Sequence, residues 1–95
     1  MTRGAIIPGG LYAGKRSDGT GYVIVKVLRV DFAVHIRIYA EDCKELPQGI
    51  KSSSLKVALG HAPMSPEAWG EKHILLGVEP VTEDELSGYR AYMGG

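Results

Sequence analysis

The sequence predicts a mostly-β domain of the α+β class, in which a small antiparallel sheet, curled or closed into an SH3-like barrel, precedes a C-terminal helix. Residues 22–30 and 32–39 are rich in Val, Ile and aromatic residues, a composition typical of strands. Thr82 and Glu85 form a capping box, which predicts a helix that begins at Glu83. An open α+β sheet with the helix across one face is the alternative architecture.

The composition predicts one globular domain spanning residues 1–95. Hydrophobic residues make up 44% of the chain and charged residues 23%, which is sufficient for a packed core. The 11 basic and 11 acidic residues balance, which argues against a strongly basic nucleic-acid binder. The sequence has no apolar run long enough to span a bilayer and no signal-like segment, so we expect no membrane association and a cytoplasmic protein.

The two long strands predict a central hairpin with one apolar face, here called the inner face. Phe32, Val34, Ile36 and Ile38 alternate with polar or small residues, and we expect them to point into the core. If residues 30–31 form a two-residue loop, the strand register follows from the turn. The expected inner-face pairs are then Val27 with Val34, Val25 with Ile36, and Val23 with Ile38.

Shorter elements complete the prediction. Leu11–Ala13, Leu55–Leu59 and His73–Val78 read as further strands. Ser65 and Pro66 predict a short helix over 66–71. We expect its residue Trp69 to anchor the core. The terminal helix is expected to pack Leu86, Tyr89 and Met93 against the domain.

The opposite side of the hairpin, here called the outer face, is the candidate interaction site. It combines aromatic, basic and apolar side chains, a composition enriched in protein interfaces. We therefore expect a non-catalytic protein-interaction module, self-associating or binding another protein through this face, unless the terminal helix covers it. Single-stranded nucleic-acid binding on the same face is an alternative, because small barrels stack bases on strand aromatics beside basic residues. The face comprises Tyr22, Ile24, Lys26, His35, Arg37 and Tyr39.

No pattern predicts a cofactor or a metal site. The three histidines have no compact ligand spacing, and we expect His61 in a turn. Cys43 has acidic neighbours, which disfavour its thiolate. A small hydrolase using His35 or His61 is the remaining enzymatic alternative, and it requires a cleft that brings a histidine to a carboxylate or to the cysteine.

Several segments together resemble a family of small uncharacterised bacterial proteins. That resemblance implies a bacterial, cytosolic protein with a single domain and implies no chemistry. The segments are Leu11-Tyr12-Ala13, Gly21-Tyr22, Val25-Lys26-Val27-Leu28, Val34-His35-Ile36-Arg37 with Tyr39, Gly60-His61-x-Pro63, Trp69, and Val81-Thr82-x-x-Glu85-Leu86-x-Gly88-Tyr89-Arg90.

Overall fold

A computed structural model describes residues 6–16, 19–40, 43–69 and 73–94 of the chain. Five strands, two short 3-10 turns and one helix follow each other along the sequence. They are β1 (Gly10–Lys15), β2 (Tyr22–Val30), β3 (Val34–Tyr39), a turn at Ser52–Ser54, β4 (Val57–Met64), a turn at Pro66–Ala68, β5 (His73–Val78) and α1 (Glu83–Tyr92).

The five strands form one antiparallel sheet in the order β4-β3-β2-β1-β5. This confirms the predicted mostly-β fold with a C-terminal helix. The sheet stays open, with β4 and β5 as its two edges, so it does not close into an SH3-like barrel, and the alternative of an open α+β sheet with the helix on one face describes it. The turn at Pro66–Ala68 is shorter than the helix predicted over 66–71, of which residues 70 and 71 lie outside the described residues.

The register of the central hairpin differs from the prediction by two residues. Val27 lies opposite Ile36 rather than Val34, and Val25 lies opposite Ile38. A shift of two residues keeps every side chain on its predicted face, because the side-chain period of a strand is two. The inner face is therefore apolar as expected.

The shift originates in the connection between β2 and β3, which has three residues instead of two. The carboxylate of Asp31 accepts a hydrogen bond from the backbone N–H of Ala33 at 3.2 Å, so Ala33 belongs to the turn and not to β3. A bulge between Val27 and Arg29 absorbs the remaining offset. Phe32 consequently sits at the turn, 65% exposed, and its predicted core position is wrong.

The inner face carries the larger apolar cluster. It is built around Trp69, which is 3% exposed and makes an edge-to-face contact with Tyr12 at 4.8 Å between ring centroids. The segment that joins the two edge strands thereby places its indole over the middle of the sheet, as the sequence predicted. The buried members are Tyr12, Val25, Val27, Val34, Ile36 and Trp69.

The outer face is covered by α1 and by the segment that precedes β4. Its buried apolar residues are Leu11, Ala13, Ile24 and Tyr39, with Ile50 and Leu55 packed against them. The sheet is thus covered on both faces.

The helix approaches the sheet through Glu85 and Gly88, and of its predicted apolar stripe Tyr89 packs against His35 with ring centroids 4.6 Å apart, while Leu86 is half-buried. Glu85 is 8% exposed, whereas Met93, predicted to pack against the domain, is 47% exposed. A Cβ atom on Gly88 would lie 2.8 Å from the Cβ of His61, so only glycine permits this close approach. His61 itself lies within strand β4 and not in a turn, which corrects its predicted position.

We predict that Trp69→Ala lowers the free energy of unfolding by about 3 to 5 kcal/mol, because it empties the centre of the inner cluster. Urea denaturation followed by circular dichroism measures the loss. Trp69→Phe should retain part of the stability, since it keeps a ring against Tyr12. Native fluorescence that iodide quenches as readily as free tryptophan would contradict the burial on which the prediction rests.

Candidate functional site

The structure buries most of the predicted interaction face inside the monomer. Ile24 and His35 are fully buried, Lys26 is 2% exposed and Tyr39 is 3% exposed. Tyr22 and Arg37, the other two residues of that face, are half-buried. The terminal helix covers Lys26 and His35, in line with the alternative considered from the sequence, and Ile50 and Leu55 of the segment before β4 pack against Ile24 and Tyr39. The outer face instead contains two polar clusters, a cavity and an exposed aromatic patch.

The first polar cluster, here called the lysine cluster, is centred on the Nζ of Lys26. This ammonium lies 3.0 Å from both carboxylate oxygens of Glu85, 3.1 Å from Glu79 Oε1 and 2.9 Å from the carbonyl oxygen of Pro80. Ser52 donates its backbone N–H to Glu79 at 2.9 Å, and its hydroxyl donates to the same carboxylate. A single lysine on β2 therefore ties together the helix, the residues after β5 and the loop before β4.

The electrostatics of the lysine cluster favour the ionised forms. Burial alone would raise the pKa of Glu79 and of Glu85, but hydrogen bonds from Ser52, Thr82 and Lys26 outweigh it and lower both pKa values. Burial raises the pKa of Tyr39, the neighbouring phenol, above its ordinary value. Every N–H of the ammonium is used within the protein, so the lysine is not available to a ligand.

The second polar cluster, here called the histidine relay, joins three residues from neighbouring elements. His35 Nε2 lies 2.7 Å from Asp31 Oδ1, and His35 Nδ1 lies 2.8 Å from His61 Nε2. The hydroxyl of Tyr89 donates to Asp31 Oδ2 at 3.0 Å, which ties the helix to the β2–β3 turn. The relay therefore runs from the turn, through a fully buried imidazole, to β4.

The carboxylate of Asp31 orients the relay. An ionised carboxylate only accepts hydrogen bonds, so His35 donates to it from Nε2. Between His35 Nδ1 and His61 Nε2 one nitrogen donates and the other accepts. Burial opposes but does not cancel the hydrogen bonds from His35, Ala33 and Tyr89, which lower the pKa of Asp31. Burial, together with the neighbouring His35, lowers the pKa of His61, which favours its neutral form at pH 7.

The structure separates the other sequence candidates from this relay. His73 stacks on Trp69 with ring centroids 4.0 Å apart, in the region of the inner cluster. Cys43 is half-buried and pairs with Tyr22 in an isolated bridge, and its acidic neighbours at 41 and 42 lie outside the described residues. Within the ranges that the structure describes, no three histidine, cysteine or acidic residues are grouped so that they could hold a metal ion.

A cavity of about 850 Å³ lies beside the lysine cluster, between the start of α1 and the segment before β4. Lys26, Arg37 and Tyr39 contribute to its floor, and Leu11 and Leu55 to its apolar wall. None of the three relay residues lines it. The histidine–carboxylate contact that the hydrolase alternative required is present, but the cavity is elsewhere.

An exposed group of rings, here called the aromatic patch, surrounds the relay at the other end of α1. It consists of Phe32, Tyr89 and Tyr92. The ring centroids of Phe32 and Tyr92 lie 5.6 and 5.7 Å from that of His35, and the two side chains are 65% and 48% exposed. The guanidinium of Arg29 lies 5.5 Å from the centroid of Tyr89, within cation–π range.

Sequence reasoning missed the acidic partners of both clusters. Glu85 was interpreted only as a capping residue, and its side chain does accept the N–H of Thr82 at 2.9 Å. Asp31 was interpreted only as part of a loop. The available signal was a lysine and a histidine within strongly apolar strands. A charge or an imidazole that is buried there needs a hydrogen-bonding partner.

We predict that Lys26→Met lowers the free energy of unfolding by about 3 kcal/mol at neutral pH, because it leaves the carboxylates of Glu79 and Glu85 without their counter-charge. Urea denaturation measures the effect. The deficit should shrink in acid, as the unpaired carboxylates are protonated without loss of a salt bridge. Lys51→Met, at an exposed position lining the same cavity, is the control and should be neutral. Equal stability of wild type and Lys26→Met would contradict the role given to the cluster.

We also predict a loss of stability in mild acid that depends on His61. Because the folded pKa lies below the unfolded value of 6.5, the unfolded chain binds more protons just below that pH. The free energy of unfolding should therefore fall as the pH drops from 6.5 through the folded pKa. His61→Gln, which keeps an N–H donor but does not titrate, should flatten this dependence. Denaturation at several pH values tests this, and parallel curves for wild type and His61→Gln would contradict it.

No helix within the described ranges is both long and apolar enough to cross a membrane. Comparison of the chain with protein-family models, with curated proteins and with solved structures gave no match.

Proposed function

We propose that this chain is a non-catalytic protein-interaction module that self-associates through the aromatic patch. The observation that carries the proposal is the exposure of Phe32 and Tyr92, at 65% and 48%, on either side of a fully buried histidine. Large exposed rings grouped in this way are common in interfaces and uncommon on isolated surfaces.

The patch has the composition and rigidity of an interface centre. Tyrosine, phenylalanine and arginine are enriched in interfaces, and tyrosine and arginine dominate their energetic hot spots. The histidine relay supports the three rings of the patch on their buried side. The hydroxyl of Tyr89 donates to Asp31, and the imidazole of His35 packs against all three rings. A surface fixed before binding loses little entropy on association.

Charge favours a second copy of the chain as the partner. The 11 basic and 11 acidic residues cancel, so two copies meet without net repulsion. Arg29 and Asp31, with side chains 60% and 26% exposed, place one positive and one negative group at the edge of the patch. A twofold axis can set each group opposite its counterpart of the other sign, which is the self-complementarity that a dimer requires.

The same contacts weaken the two alternatives. Single-stranded nucleic acid would need several free basic groups on the outer face, and the engagement of Lys26 by Glu79 and Glu85 leaves Arg37 there as the basic group without an acidic partner among the described residues. A hydrolase would need a substrate cleft at His61, and the cavity does not include this residue. Self-association uses the exposed rings and needs neither.

We predict that the wild-type chain shows concentration-dependent mass in sedimentation velocity and light scattering, and that Phe32→Ala with Tyr92→Ala makes it monomeric. The two side chains are exposed, so circular dichroism and thermal stability should change little. The matched control is Leu59→Ala with Val78→Ala, which removes apolar groups of 49% and 59% exposure from the edge strands. This control should associate like wild type.

Three results would overturn the proposal. They are a wild-type monomer at every concentration, equal loss of association in the control, and unchanged association of a folded double variant. An oligothymidine that binds with steep salt dependence and is released by Phe32→Ala would assign the patch to nucleic acid instead.

A further inference from the structure

The cavity beside the lysine cluster is a separate feature that shares no residue with the aromatic patch. Its volume of about 850 Å³ falls within the range of small-molecule sites. Apolar residues such as Leu11, Ile50 and Leu55 share its lining with the charged residues Lys26 and Arg37. Such a mixture favours a ligand with an apolar body and one polar end.

The charged groups of the floor are mostly satisfied by one another. The ammonium of Lys26 is held by Glu79 and Glu85, and each carboxylate also accepts a backbone N–H, from Ser52 and Thr82 respectively. The hydrogen-bonding groups are thus used within the protein, and two carboxylates against one ammonium leave the cluster with one net negative charge. The lysine cluster therefore acts as a fixed part of the floor.

Arg37 is the exception on the floor. It lies beside Lys26 across the β2–β3 pair, and its one hydrogen bond within the described ranges is a long one, from Nε to the carbonyl oxygen of Gly60 at 3.4 Å. No described carboxylate lies within ion-pair distance of its guanidinium, and it is half-buried. Lys51, exposed on the lining, adds a second cation without a described acidic partner.

We propose that this cavity binds a small organic carboxylate, with the carboxylate on Arg37 and the apolar body along the wall. The planar guanidinium presents two parallel N–H donors that match the two oxygens of a carboxylate. A doubly charged phosphate fits less well, because Glu79 and Glu85 lie close to the same floor and repel the additional charge. An organic cation would be repelled by Arg37 and Lys51, against which the lining offers the exposed carboxylate of Asp84.

Titration of the full chain with octanoate, octanamide and inorganic phosphate tests the proposal, with NMR chemical shifts as the readout. Octanoate should bind and shift resonances of residues that line the cavity, while octanamide and phosphate should bind at least about tenfold more weakly. Arg37→Met should weaken octanoate binding by about tenfold or more and leave octanamide unchanged. Arg37→Lys keeps the positive charge but lacks the two parallel N–H donors. Its affinity for octanoate should lie between those of wild type and Arg37→Met.

The matched control is Arg90→Met, which removes an exposed arginine outside the cavity and should bind octanoate like wild type. Circular dichroism and Trp69 fluorescence establish that each variant is folded. Failure of octanoate to bind, equal binding of octanoate and octanamide, or wild-type affinity in a folded Arg37→Met variant would overturn the proposal. Phosphate binding that exceeds octanoate binding would overturn the assignment to a carboxylate. None of these results depends on self-association, which the aromatic-patch variants test separately.

Discussion

The buried ammonium of Lys26 is the constraint on which the arrangement of the outer face depends. An ion on the central strand, 2% exposed, is stable only if opposite charges and acceptors surround it. Glu79 arrives from the end of β5 and Glu85 from the first turns of α1, and Ser52 fixes Glu79 from the loop. One desolvated charge thus joins the helix, the residues after β5 and the loop before β4 on the outer face.

The helix is held to the sheet by polar contacts more than by apolar burial. Glu85 is the buried residue of α1, and at the opposite end of the contact the hydroxyl of Tyr89 donates a hydrogen bond to Asp31. Between them Gly88 lets the backbone approach His61 closely. A helix fixed at these points has a defined position, because hydrogen bonds are directional whereas apolar packing tolerates sliding. That position leaves the cavity at one end of α1 and the aromatic patch at the other.

The local patterns of the sequence were sufficient for the elements and the inner core. Alternation along β3 identified the correct face even though the register was shifted by two residues, and the capping box located the start of α1. The prediction for Phe32 is wrong because the side chain of Asp31 accepts the backbone N–H of Ala33 and so determines where the turn lies. The alternation of apolar and polar residues does not encode this hydrogen bond. The pairing of Lys26 with Glu85 joins residues 59 positions apart, and no spacing rule connects them. The sequence therefore predicts which residues share the face and leaves open whether the terminal helix covers it.

Hydrogen-bond saturation separates the structural from the available polar groups on this face. Lys26 uses its full donor capacity and His35 uses both ring nitrogens, so each is complete within the monomer. The sequence places both residues on an interaction face, because it shows their charge and their rings. It does not show the residues that form hydrogen bonds with them in the folded chain. Arg37 differs from them on the same face, since its guanidinium makes one long bond to Gly60. A half-buried cation gains most from an added counter-charge when the protein supplies none, because the surrounding medium screens the interaction less than bulk water does. Of Lys26, His35 and Arg37, Arg37 is for that reason the residue whose side chain has hydrogen-bond donors left for a ligand.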